Sequence, residues 1–309
     1  MTTRIVSTRS YTRVLARRNW ELYLFVAPAL IYIFIFNYVP LYGIQIAFKD
    51  FSPYDGIWNS RWIGLENFER FFSSAMFWTL LGNTLALSVY SLAAGFPIPI
   101  ALALLLNYCR FGRMKKMVQT VTYAPHFIST VVMVGMLQVF LSTYGGFVNV
   151  LIELLGGEPV LFMGRKDLFR HIYVWSGIWQ NTGWSSVIYV AALSAVSPEL
   201  HEAAIVDGAS KLRRIWHIDL PSILPTVIML LILNTGRILN VGFEKAFLMQ
   251  NSANMETSEI ISTYVYKIGM QNAQYSFSSA VGLFNNVVNC IILLTVNKIA
   301  NAAGDLGMF

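Results

Sequence analysis

Glu202-Ala203-Ala204-Ile205-Val206-Asp207-Gly208, followed nine residues later by Ile218-Asp219-Leu220-Pro221, is the stretch from which the fold of this chain follows. Ser197 is a good helix N-cap, and Pro198 suits the first helical position, where its missing N–H would have no helical partner in any case. A helix is expected to about Asp207, with Gly208 in the left-handed conformation that closes a helix C-terminus. Ser210 caps a second helix through about Ile218, and Leu220-Pro221 is expected to redirect the chain. Leu200, Ala203 and Ala204 share one face of the first helix at three-to-four-residue spacing. Two alanines keep that face thin enough to sink into a groove of another protein, and Glu202 offers a charge to a basic group there. A generic amphipathic connector needs no glycine at one fixed offset.

Long apolar segments flank this helix–turn–helix on both sides. The chain has 309 residues, of which 56% are hydrophobic and only 12% charged, about half the charge density of a soluble domain. A spanning helix needs about 20 mostly apolar residues. Six segments qualify, at 22–47, 76–106, 117–141, 171–197, 222–250 and 276–300. The ~10-residue alternating segments of a membrane β-barrel are absent. The expected fold is an all-α integral membrane protein with six transmembrane helices over 22–300 and a helix–turn–helix loop at 197–221. Tails at 1–21 and 301–309 complete it. Pro28, Pro40, Pro97, Pro99 and Pro125 interrupt apolar segments. Broken helices persist at membrane depth only where protein or a wet cavity re-satisfies the backbone, which suits a solute-handling bundle.

Lysine and arginine set the orientation. The N-terminal tail holds Arg4, Arg9, Arg13, Arg17 and Arg18, the second connection Arg110, Arg113, Lys115 and Lys116, the fourth Lys211, Arg213 and Arg214, and the C-terminal end Lys298. The opposite side holds Lys49, Arg61, Arg70, Arg165, Lys166, Arg170, Lys245 and Lys267, spread over longer loops with ten of the sixteen acids. Both termini and the Glu202 loop are therefore expected in the cytoplasm, in a multi-pass bacterial inner-membrane protein. The net charge of +6 is then a positive-inside excess and no sign of nucleic-acid binding. Residues 1–20 lack a small-residue cleavage site and read as a cytosolic tail. Cys109 and Cys290 read as buried free thiols.

The first outer loop, about 48–75, carries Tyr54, Trp58 and Trp62, which suit either an interfacial belt or a docking partner. The second, between Gly145-Gly146 and Gly156-Gly157, reads as a short interfacial helix between two turns. The dipeptide Gly-Lys never occurs, so there is no phosphate-cradling Walker A loop. His126, His171, His201 and His217 are dispersed, and no metal-ligand spacing is present. Catalysis by this chain, and a cofactor or metal of its own, are not expected.

The whole motif, E-A-A-x3-G-x9-I-x-L-P, resembles the cytoplasmic coupling loop of membrane subunits of binding-protein-dependent ABC importers. Pro28-Ala29-Leu30, Tyr38-Val39-Pro40-Leu41-Tyr42-Gly43, Phe48-Lys49-Asp50-Phe51 and Trp62-Ile63-Gly64-Leu65-Glu66-Asn67-Phe68 are similar to the sugar and oligosaccharide branch, the part associated with polysaccharide fragments. The resemblance covers nearly the whole chain. It implies a second, usually non-identical permease subunit, two ATPase subunits that hold the ATP and Mg, and an extracytoplasmic solute-binding protein. It also implies that Leu200, Glu202, Ala203, Ala204, Asp207, Gly208, Ile218, Leu220 and Pro221 form the ATPase-coupling element, a lever that turns ATPase closure into rotation of the bundle.

Polar groups inside a membrane usually face the bundle interior or a wet cavity. The fourth segment offers Trp175, Trp179, Gln180, Asn181 and Trp184, the fifth Asn234, Arg237 and Asn240, and the sixth Asn289. Asn234, Arg237 and Asn240 are expected to share one helix face. Arg237 fits either an acidic solute or an ion pair with Glu244 or a partner acid. The tryptophans fit packing or sugar contact, and Asn285, Asn286 and Asn289 fit helix–helix bonding or solute contact. Other expectations are a permease for a monosaccharide, polyol or other small nutrient, an intramembrane enzyme, or a scaffold. A scaffold would not need the Glu202–Pro221 spacing, and an enzyme would need clustered catalytic groups that are absent.

Overall fold

The computed structural model describes residues 18–304. The expected tail residues Arg4, Arg9, Arg13 and Arg17, and residues 305–309, lie outside them. The described residues are mostly helical. The helices include α1 (Trp20–Phe48), α2 (Met76–Asn107), α3 (Gly112–Phe127), α4 (Thr130–Phe140), α5 (Phe147–Leu154), α6 (Lys166–Ser194), α7 (Pro198–Val206), α8 (Lys211–Thr235), α9 (Phe243–Met249) and α10 (Tyr275–Gly304). A two-stranded antiparallel ribbon, β1 (Lys49–Asp50) with β2 (Arg61–Trp62), folds the loop between α1 and α2. Asn67 pins that loop from its buried position, donating to the carbonyl of Ala47 at 3.0 Å.

Among the described residues, α1, α2, α8 and α10 are long and apolar enough to cross a membrane, and α3 with α4 would add a fifth span. The remaining expected span is α6. Its 29 residues reach about 43 Å at 1.5 Å each, but polar side chains lower its hydropathy. None of the apolar window of α1 is buried, and its last turns contact α10.

Several expected segments differ in detail. The span at 117–141 is not straight, because α3 and α4 meet at a 100° bend. Pro125 sits in the 3-10 turn at that corner, and the carbonyl of Ile128 accepts 2.8 Å from Gln180 Nε2. The segment 171–197 begins earlier, at Lys166, and ends at Ser194. The segment 222–250 is two helices, broken after Thr235. The last helix runs beyond residue 300 to Gly304. Cys109 is half-buried and Cys290 exposed, so neither free thiol is buried as expected. The helix predicted between the paired glycines is present as α5, with Gly145 and Gly156 at φ +71° and +82°.

The core lies where α6 crosses its neighbours. Leu87 of α2, Met133 and Val134 of α4, Phe169 and Val174 of α6, and Ala246 and Met249 of α9 form one buried cluster. Toward the end that carries α7, Ala103, Tyr189, Leu193 and Ile223 form another. A close helix contact is at Gly183 of α6, where an added Cβ would stand 2.1 Å from the carbonyl oxygen of Thr122 on α3. Only glycine admits that approach.

Candidate functional site

A cavity of about 590 Å³ opens between α2, α6, the end of α8 and the turn leading into α9. Gln180, Asn181, Asn234, Arg237 and Asn240, five of the expected path residues, all line it. Asn234 and Arg237 do not share a helix face, since α8 ends at Thr235. They meet because residues 236–240 form turns, with the N–H of Arg237 bonded to the carbonyl of Asn234 at 3.1 Å and that of Asn240 to Arg237 at 2.8 Å. α10 supports this break. Asn289, buried, accepts 3.0 Å from the N–H of Leu239, and Asn285 Nδ2 donates 2.8 Å to Asn240 Oδ1. An irregular backbone lining a cavity and re-bonded by a neighbouring helix is what membrane depth permits. Asn289 is thus a backbone support and does not line the cavity.

The tryptophans are elsewhere. Trp175 and Trp179 line a separate apolar pocket of about 350 Å³ between α4 and α6. One turn apart on α6, they form a stripe on its other side from Tyr173, Gly177 and Gln180. Trp184 stacks flat on His126, ring centroids 4.8 Å apart and 2° from parallel. The aromatic rings on the cavity wall are Phe96, Tyr173 and Tyr189.

The guanidinium of Arg237 has no hydrogen bond or ion pair among the described residues, and none joins it to Glu244. A second basic side chain on the wall escaped the sequence argument, which placed it in an outer loop. Lys245 is buried, donates 2.6 Å to the carbonyl of Tyr173, and lies 4.5 Å from the centre of that ring. A lysine inside a segment otherwise read as spanning was the available signal. Among the described residues, no aspartate or glutamate lines the cavity.

The second candidate surface is α7. Ser197 occupies the N-cap position but makes no side-chain capping bond, and Pro198 takes the first turn. Gly208 has φ +73°, and the N–H of Ala209 reaches the carbonyl of Ala204 at 2.8 Å. Ser210 caps the next helix, its hydroxyl accepting 3.3 Å from the N–H of Arg213. Leu220-Pro221 does not redirect the chain. α8 runs unbroken from Lys211 to Thr235, and a π turn at Ile215–Asp219 takes up the proline's missing donor. No residue of α7 is buried. Leu200 is 52%, Ile205 56% and Val206 87% exposed, and Glu202, Ala203 and Asp207 are exposed beside them. Ala204, Ile218 and Leu220 are half-buried against the bundle. The outcome is a bare helix with an apolar side, held off one end of a membrane bundle.

An apolar helical bundle with an internal polar cavity and an unpartnered helix at one end is the architecture of a transport permease. Residues 95–302 match the family described as binding-protein-dependent transport system inner membrane component, and the chain belongs to it. It is similar, at 46% identity over 93% of its length and 90% of the relative's, to the polygalacturonan/rhamnogalacturonan transport system permease protein YteP of Bacillus subtilis. Protein LplB of the same organism is 45% identical over 97% of this chain and 94% of its own. A chain in the crystal structure of a bacterial alginate ABC transporter, in complex with a periplasmic protein bound to alginate pentasaccharide, superposes with a TM-score of 0.88. It shares 39% identity, and the match covers 95% of this chain and 98% of that one. The expected membership of the sugar and polysaccharide branch of ABC importer permeases is therefore correct. YteP is named a permease protein, and the family is one of inner membrane components.

Proposed function

We propose that this chain forms half of the path by which an acidic oligosaccharide crosses the bacterial cytoplasmic membrane. The observation that carries the proposal is the cavity wall, which holds Arg237 and Lys245 and, among the described residues, no acid. A guanidinium with no partner among the described residues is free to fork onto a carboxylate. Gln180, Asn181, Asn234 and Asn240 offer amides to hydroxyls, and Phe96, Tyr173 and Tyr189 offer ring faces to sugar C–H surfaces. The names of the relatives, which concern polygalacturonan, rhamnogalacturonan and alginate, agree with an anionic solute.

A second permease completes the path, and an extracytoplasmic binding protein delivers the solute. The coupling element is α7 with the residues that follow it. Leu200 and Ala203 seat in an ATPase groove, Ala204 backs the helix toward the bundle, Glu202 pairs with a basic group in the groove, and Asp207-Gly208 ends the helix. Ile218, Leu220 and Pro221 join it to α8. ATP and Mg stay with the ATPase subunits. Both termini and α7 lie on the cytoplasmic side.

The test is uptake by the whole transporter in proteoliposomes, with saturating binding protein. Short uronate oligomers are compared with the same oligomers reduced to neutral sugars. The uronates should be carried in preference. Equal rates for the neutral sugars, once bound by the binding protein, would remove the cationic wall from solute selection.

A further inference from the structure

Asp219 is completely buried at the end of the bundle that carries α7. A buried carboxylate is tolerated only with partners, and here they come from two other segments. Tyr108, immediately after α2, donates its hydroxyl to Asp219 Oδ2 at 2.7 Å. His201 of α7 brings Nε2 to 3.3 Å from Oδ1. That approach lacks hydrogen-bond alignment, and Oδ1 has no other bond, so the contact attracts most when the imidazole is protonated. The rings of Tyr108 and His201 meet edge to face, centroids 6.4 Å apart. Arg214, five residues before Asp219, lies 5.5 Å from the Tyr108 ring centre. Burial first, and the carboxylate second, push the Tyr108 phenol up to about 12, so it remains a donor at any working pH. Among the described residues, His201–Asp219 is the one ion pair joining α7 to the rest of the chain.

We propose that Asp219 is the joint that passes displacement of α7 into α2 and α8, a positioning residue for transport with no contact to solute. The inference rests on α7 being the coupling element. α7 buries none of its own residues, so apolar packing alone grips it weakly. A buried anion shared between α7 and α2 resists separation, because moving either group away leaves a charge unpaired. Pushing α7 therefore pulls on the ends of α2 and α8 together, and these two helices line the cavity with Ser88, Ser91 and Asn234.

The experiment uses the complete transporter, with partner permease, ATPases and binding protein, and reads solute taken up per ATP hydrolysed. Tyr108→Phe removes one hydroxyl and keeps the ring, and Asp219→Asn removes the charge and keeps the shape. Each should lower uptake per ATP by about tenfold, the value of one hydrogen bond to a charged group. The double variant should be no worse than the poorer single one, because both act through one bond. ATPase subunits should still co-purify. Uptake per ATP equal to wild type in both single variants would overturn the proposal, as would additive losses in the double. If Asp219→Asn does not assemble, Tyr108→Phe decides alone. Glu202→Ala and Gly208→Val separate this from the coupling reading: lowered uptake there with unchanged Tyr108→Phe discards only the joint, whereas wild-type uptake in both discards the lever itself.

Discussion

Replacing Arg237 by glutamine tests the solute path most directly. Glutamine keeps much of the side chain's reach and its donors but removes the charge. Because the guanidinium has no partner among the described residues, the change breaks no bond within the subunit, and assembly should survive. A hydrogen bond to a charged group contributes about 1.5–3 kcal/mol, which corresponds to about a ten- to hundredfold change in an equilibrium constant. Arg237 is exposed, so solvent screens the contact and the lower end is expected. Uptake of uronate oligomers should fall by about tenfold, with the half-saturating concentration rising if the contact is equally strong in the ground and transition states. Carriage of a neutral sugar should change little. The measurement is radiolabelled uptake into proteoliposomes, with co-purification of the partner subunits as the control for assembly. Uronate uptake within about twofold of wild type in a fully assembled complex would refute the reasoning. Failed assembly, rescued by neutralising an acid on the partner permease, would show instead that Arg237 is one half of an intersubunit ion pair.

Three further outcomes are expected. Gly208→Val forces a β-branched residue to φ +73°, a left-handed strain of about 1–2 kcal/mol, and with Glu202→Ala it should lower uptake while the complex still purifies. Wild-type pumping by both would show that α7 is not the coupling element. Single cysteines at the exposed Asn59 and Glu158 should react with impermeant thiol reagents from outside sealed cells, and one at Lys211 should not. Labelling of the Lys211 position would reverse the orientation. Gly183→Ala places a Cβ 2.1 Å from the Thr122 carbonyl oxygen, so α3 and α6 must separate. An overpacking cost of about 1–3 kcal/mol should lower the thermal stability of the detergent-solubilised complex, and unaltered stability would contradict the close crossing.

What the sequence makes legible is the chemistry that acts locally. Ser210 bonds the N–H three residues on, and Gly208 supplies its own left-handed turn, so the helix–turn–helix is readable residue by residue. The break after Thr235 is not. Asn234, Arg237 and Asn240 read equally well as a polar face of one continuous helix, and what permits the break is Asn289, fifty positions away, accepting the Leu239 N–H. The bend between α3 and α4 is half legible. Pro125 announces an interruption, but the freed Ile128 carbonyl is answered by Gln180 from a different helix. Lys245 fails for the same reason. As a lone cation it counts toward an outer loop, and only the carbonyl of Tyr173, seventy-two positions earlier, explains its burial.

The same physics accounts for the helix least recognisable as a span. α6 is absent from the helices that are long and apolar enough to cross a membrane, yet it touches α2, α3, α8 and the 3-10 corner at Pro125. Its polarity has two sources. Gly183 and Ser186 are small and buried, the glycine admitting the Thr122 backbone. Gln180, Asn181, Thr182 and Ser185 line the cavity. Side chains that let neighbouring backbones approach, or that wet a cavity, lower the hydropathy of whichever helix carries them. A helix shielded from lipid on both counts has no need of an apolar exterior all round, because neighbouring helices supply it. In a bundle built to pass a hydrophilic solute, the central helix is thus expected to be the least lipid-like in composition.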